Sequence, residues 1–129
     1  MKKRIVLLFV FAAIFFGCKK NAVDSGKSVI GKWKLTETQF SIAGIGDWKV
    51  EDSNNPRFIT FNANGSFSAT GNLFQGVDSY SINTDSTKIN FYRSAVPDTS
   101  MMTYTIQSGL LTLRPPCIEP CGLRFVKAE

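Results

Sequence analysis

Val29-Ile30-Gly31-Lys32-Trp33-Lys34-Leu35 is the stretch on which the fold turns. It is the first β-like run in the chain, and it continues to Phe40. Trp33 and Leu35 alternate with Lys32, Lys34, Thr36 and Thr38. A period of two with one apolar and one polar face is the pattern of a strand with one side in water.

Upstream of this run the chain has a different character. Lys2, Lys3 and Arg4 are followed by an unbroken apolar run of 12 residues from Ile5 to Phe16, and Gly17-Cys18 closes it. A membrane-spanning helix needs about 20 residues, so residues 1–17 read as an export signal and not as an anchor. Ile14-Phe15-Phe16-Gly17-Cys18 resembles the lipobox of bacterial lipoproteins, with Phe15 where Leu is usual. That resemblance implies that Cys18 is diacylated and becomes the first residue of the mature chain. Two acyl chains anchor a protein stably where one does not. Residues 18–28 are polar and aperiodic, and read as a flexible tether; residues 29–129 read as one domain.

The basic balance of the whole chain, +5, is set by the leader and tether. Lys2, Lys3 and Arg4 leave with the signal, and Lys19, Lys20 and Lys27 lie in the tether. No clustered basic face of the kind that binds nucleic acid remains. The two later cysteines, Cys117 and Cys121, sit in an exported and therefore oxidising setting, where a pair so closely spaced reads as a disulfide. A bridge closing so short a loop stabilises by about 2 kcal/mol in the chain-entropy model, so it fixes one turn and does not hold the fold.

Downstream of Phe40 the β-rhythm repeats. Ser41 to Pro56 is broken by Gly44, Gly46 and Asn54-Asn55-Pro56, and reads as the longest loop, with room for a short extra hairpin around Trp48 and Val50. Arg57–Phe61 and Ser66–Thr70 flank Asn62-Ala63-Asn64-Gly65, a hairpin signal. Val77–Asn83 and Lys88–Arg93 flank Thr84–Thr87; Met101–Gln107 and Leu110–Arg114 flank Ser108-Gly109. The expected inward residues are Tyr80, Ile82, Ile89, Phe91, Met102, Tyr104, Ile106, Leu111 and Leu113. Pro115 to Gly122 reads as a rigid turn, because its three prolines remove ladder donors, and Leu123–Lys127 as the last strand. The total is eight main strands and no helix-length apolar period after the leader. The expected fold is all-β, an eight-stranded antiparallel up-and-down barrel, with an open β-sandwich as the alternative.

Gly31-x-Trp33 at the first strand, the eight strands, and Arg124 in the last strand resemble the lipocalin pattern. With the lipobox and the Cys-containing turn, the nearest likeness is to the small lipocalin-like lipoproteins common in Bacteroidetes. That resemblance implies that Trp33 plugs one end of the barrel and that Arg124 lies across its indole. It also implies an outer-membrane position, since Lys19 follows the lipobox cysteine where an inner-membrane retention signal would carry Asp. With Lys19-Lys20 in place of an acidic export cluster, the expected orientation is towards the periplasm.

Reaction chemistry is sparse. The chain has no histidine, which excludes Ser-His and Cys-His nucleophilic sites. Cys117, Cys121 and Glu119 lack a clear fourth partner for a metal. No catalytic residue, cofactor or metal is therefore expected. The aromatic inward positions Trp33, Phe67, Tyr80, Phe91 and Tyr104 are the candidates to line a cup for a small hydrophobic or amphipathic ligand. Trp48 and Phe74, on loops, are the candidates for contact with an envelope protein partner. The expected function is that of a non-enzymatic, membrane-anchored binding protein; the competing expectation is an interaction, inhibitor or structural module with a filled barrel.

Overall fold

The computed structural model describes residues 28–128 apart from 42 and 45. The leader, Cys18 and the tether up to residue 27 lie outside the described residues. Nine strands follow one another: β1 (Gly31–Phe40), β2 (Trp48–Val50), β3 (Phe58–Phe61), β4 (Phe67–Ala69), β5 (Ser79–Ile82), β6 (Lys88–Arg93), β7 (Asp98–Gln107), β8 (Leu110–Arg114) and β9 (Cys121–Lys127).

Every pairing is antiparallel, and the strands run β4-β3-β1-β9-β8-β7-β6-β5 around the sheet. Sequence neighbours are therefore spatial neighbours, and the first and last strands pair. The remaining seam lies between β4 and β5. There Phe67 N donates to Asp78 O at 2.8 Å, Tyr80 N donates to Gly65 O at 2.9 Å, and Ser66 bridges Ser79. The sheet is thus a nearly closed eight-stranded up-and-down barrel, and closure removes the edges that an open sheet would expose. The short β2 is the extra piece expected in the long loop. It pairs with Glu37–Gln39 of β1 while β3 pairs with Gly31–Lys34, so the two occupy one side of β1 in succession.

The hairpin at residues 62–66 shows how local chemistry sets a turn. Asn62 O accepts from Gly65 N and Asn62 N donates to Ser66 O, both at 3.0 Å. Gly65 takes φ +85°, the left-handed residue that a three-residue hairpin loop requires. The side chain of Asn64 closes the turn by accepting from Ser66 N at 3.0 Å.

Two strand limits differ from the sequence expectation. β9 begins at Cys121 and includes Gly122, which pair with Phe40 and Gln39 of β1; only Pro115–Pro120 is excluded from the ladder by its prolines. The Cys117–Cys121 disulfide is present, with Cα atoms 6.2 Å apart, and it ties the turn to the start of that strand. The second difference is a bulge in β1. Leu35 faces Phe125 and Glu37 faces Arg124, so Thr36 is the extra residue. Because side chains alternate, one extra residue exchanges the two faces beyond it. Trp33 and Leu35 are buried before the bulge; beyond it Thr38 and Phe40 border the open mouth of the barrel, Phe40 largely exposed.

The core is drawn from β1, β3, β4, β6, β8 and β9: Trp33, Leu35, Ile59, Phe61, Phe67, Ile89, Phe91, Leu111, Leu113 and Phe125 are all buried. The expected inward positions pack there, Tyr80, Met102, Tyr104 and Ile106 at its margin. Ile82 is the exception: it sits at the end of β5 beside the turn and is exposed.

Candidate functional site

The barrel has two unlike ends. At one, where β1 starts and β9 finishes, the interior is plugged. Trp33 is 1% exposed, and its Nε1 donates to Val29 O at 2.6 Å. Lys127 crosses the indole with Nζ 4.5 Å from the ring centroid and donates to Ile30 O at 2.5 Å. Gly31 has φ +122°, and a Cβ there would lie 2.8 Å from Lys127 Nζ. Glycine is favoured by the backbone conformation, and the missing Cβ leaves room for the end of the lysine. Burial pushes the Lys127 ammonium below the usual lysine range.

This geometry keeps Gly31 and Trp33 at the barrel end and corrects the partner. Arg124 does not touch Trp33. In the β1–β9 register Trp33 faces Lys127, whereas Arg124 faces Glu37 on the outer wall. Arg124 forms an ion pair with Glu37 at 3.0 Å and stacks on Trp48, its guanidinium carbon 3.8 Å from the ring centroid. Trp48 lies flat on Gly122, where a Cβ would come within 2.8 Å of its Cη2. Arg114 approaches the same indole at 5.6 Å and donates to Gln39 Oε1 at 3.3 Å. Trp48 is thus a half-buried strap that fixes the long loop to the wall, and not a free contact residue.

The other end is open. Its mouth is a cavity of about 560 Å³. Phe40, Leu73, Phe74, Met102 and Leu123 form its apolar part; Thr38, Glu51, Arg57, Asn72, Gln75, Arg93 and Ser100 complete the wall. The turn between β4 and β5, residues 71–76, supplies the floor. Leu73 from this turn is buried, and Phe74 packs against Phe67 and Phe91 with centroids 5.3 and 4.9 Å apart. Phe74 takes φ +47°, a conformation that costs a side-chain-bearing residue about 1–2 kcal/mol. Those ring contacts offset the cost. Thr38 and Phe40 reach the mouth only because of the bulge at Thr36.

The charged groups of the mouth are paired. Arg57 Nη2 meets Glu51 Oε2; Arg93 meets Asp98 through Nη1 at 2.5 Å and donates from Nε to Gln75 O at 3.0 Å. Beside them Asp78 accepts from Ser94 N at 2.8 Å and from Ser79 Oγ at 2.9 Å. Hydrogen bonds from Ser94 and then Ser79 hold its carboxyl below the usual aspartate range.

The aromatic residues expected to line a cup lie elsewhere. Phe67 and Phe91 meet edge to face at 5.2 Å in the filled centre, together with Phe61. Tyr80 packs on Phe61 at 4.9 Å and donates its hydroxyl to Asn62 O at 2.8 Å. Tyr104 stands near the plugged end beside Ser86 and Thr87. Burial pushes both tyrosines above their usual range. None of Trp33, Phe67, Tyr80, Phe91 and Tyr104 borders the cavity at the mouth. The physical reason is strand length: the five rings fill the space that short strands enclose, and the vacancy is displaced to the rim. Of the two loop aromatics, Phe74 is the one at the cavity.

Among the described residues no group of three or more His, Cys, Asp or Glu side chains could hold a metal ion, and no helix is long and apolar enough to cross a membrane. The arrangement is that of a small, nearly closed β-barrel with a plugged base and an amphipathic cup at its rim. Comparison with protein-family models, with curated proteins and with solved structures finds no match to this chain.

Proposed function

We propose that this is a non-enzymatic, lipid-anchored binding protein of lipocalin-like type that holds a small hydrophobic or amphipathic ligand in the cup at the open end. The observation that carries the reading is the cup itself: about 560 Å³, with Phe40, Leu73, Phe74, Met102 and Leu123 on one side and polar walls on the other. Small-molecule sites have this character, an apolar concavity with a few placed polar groups. The single carboxylate in the lining, Glu51, is engaged by Arg57, which suits binding better than acid–base chemistry. Met102→Glu sets a carboxylate in the apolar wall. Saturable uptake of an octyl probe by the wild-type chain, and its loss in this variant, is the expected result; no saturable uptake by the wild type would sink the reading.

Anchoring rests on the lipobox resemblance at Cys18 and implies the outer membrane, facing the periplasm. The chain enters the barrel at Val29, beside the plug, so an anchored domain would hold its cup away from the bilayer. Cys18→Ala is expected to move the protein from the membrane to the soluble fraction, with mass spectrometry of the wild-type N-terminus showing the acylated cysteine. A variant that stays fully membrane-bound would refute the anchor.

A second reading is favoured by one feature. Ile118 is fully exposed at the tip of the turn closed by Cys117 and Cys121, and a preorganised apolar tip loses little entropy on docking. On this reading the domain is an interaction or inhibitor module for an envelope protein. A photo-crosslinker at position 118 should then label one partner in intact envelopes, and label nothing when Pro116 and Pro120 are replaced by Gly. Diffuse or absent labelling with the prolines intact would count against it.

A further inference from the structure

A second depression, of about 500 Å³, adjoins the cup and shares Glu51, Arg57 and Asn72 with it. Its other walls include Asp52, Asn54 and Asn55. The two form one continuous site, apolar at the barrel mouth and richer in polar side chains over the loop that precedes β3, where Pro56 and Gly71 complete the lining. From this continuity, and resting on the reading of the cup above, we infer that the ligand is an alkyl chain carrying an uncharged, hydroxyl-rich headgroup of the glycoside class, with the chain in the cup and the head in the trough.

Charge decides against an anionic head. The trough holds two carboxylates, Glu51 and Asp52, and one guanidinium, Arg57, which is already paired with Glu51. A carboxylate or phosphate placed there would meet net negative charge. Hydrogen-bond capacity points to hydroxyls. Each hydroxyl both donates and accepts, and carboxylates and side-chain amides supply acceptors and donors in close alternation. Asp52 spends its oxygens within the loop, accepting from Asn54 N at 2.9 Å and from Asn55 Nδ2 at 3.5 Å. The side-chain amides of Asn54 and Asn72 have no hydrogen-bonding partner among the described residues, and both residues are exposed. These two amides stand at opposite sides of the chain's approach to the trough, one before β3 and one after β4, and are uncommitted to the fold.

The test compares octyl glucoside, octanoate, 1-octanol and free glucose, each binding to the full chain in phosphatidylcholine vesicles and measured as the excess over protein-free vesicles. Two or three added hydrogen bonds should make octyl glucoside about fivefold or more tighter than the other octyl probes. Asn54→Ala with Asn72→Ala is expected to bring octyl glucoside down to the level of 1-octanol and to leave 1-octanol unchanged. An unaltered thermal transition checks that the double variant is folded. Octanoate or octanol bound as tightly as the glucoside, with the double variant indifferent, would overturn the headgroup assignment and leave the cup intact. If octyl glucoside binding survives Met102→Glu and is lost in the double variant, the trough assignment holds and the cup reading fails. Binding of no octyl probe would defeat both.

Discussion

Phe91→Ala is expected to cost about 3–5 kcal/mol of folding stability, the range for truncating a fully buried phenylalanine. Phe91 is 1% exposed and sits where four rings meet: Phe67 at 5.2 Å, Phe74 at 4.9 Å and Phe61 at 6.2 Å surround it. None of these neighbours can close the gap cheaply, because each is fixed by its own strand or turn. Stabilities of small domains are about 5–15 kcal/mol, so this one change would remove a large share of the total. Phe58→Ala makes the control. Phe58 is half-buried on the outer side of β3, with Lys32 Nζ 4.4 Å from its ring centroid, and an exposed cation–π contact is worth only about 0.5–1 kcal/mol. Denaturant titration of the two variants is the measurement. Similar losses would mean that Phe91 borders an empty interior, as a barrel with a central ligand cavity requires, and that the centre is not filled.

The distinction between a filled centre and a hollow rim marks the boundary of what the sequence makes legible. Strand alternation is a local property, and it leads correctly from Ile89-Phe91 and Leu111-Leu113 to inward-facing pairs. The Asn62–Gly65 turn is local too. The expectation that Arg124 covers Trp33 failed because it depends on register between distant segments. Trp33 and Arg124 are 91 positions apart in the chain, and the lipocalin likeness suggested their contact. The bulge at Thr36 and the register of β9 instead place Lys127 on Trp33 and Arg124 on Trp48. Both indoles carry a cation, so the kind of interaction that the lipocalin likeness implied is present while its partners differ.

The cup had even less signal. Thr38 reads as solvent-facing in the alternation that contains Trp33 and Leu35, and it lines the cup because one unpaired residue reverses the faces. Arg57 and Glu51 flank a loop whose course depends on β2 pairing with β1 and β3 continuing beside it. Phe74, in a turn of positive φ, follows no period at all. A chain-internal indication does exist in retrospect: Gly71 and Gly76 bracket Leu73-Phe74, an apolar pair inside a turn, and such a pair needs something to cover it. Here it covers the barrel, forming the cup's floor on one side and the core's ceiling on the other.

The length of an alkyl probe should therefore read out the cup directly. Burying one methylene is worth about 0.8 kcal/mol, and about 1.4 kcal/mol is a factor of ten. Each added methylene should then tighten binding about fourfold. Between hexyl and decyl glucosides the affinity for the wild-type chain should rise by a factor of about two hundred while the apolar wall still has free surface, then level off once the tail emerges at the rim past Phe40. The headgroup is constant across such a series, so the slope belongs to the cup and the intercept to the trough. Leu123→Asp puts a charge on the wall formed by β9 and should flatten the slope, whereas Asn72→Ala should lower the intercept and leave the slope unchanged. Equilibrium binding of the series, corrected for partition into protein-free vesicles, measures both. A flat series in the wild type would mean that the tail stays in the bilayer or in water, and that Phe40, Leu73, Phe74, Met102 and Leu123 are a rim for contact with another surface and not a seat for a ligand.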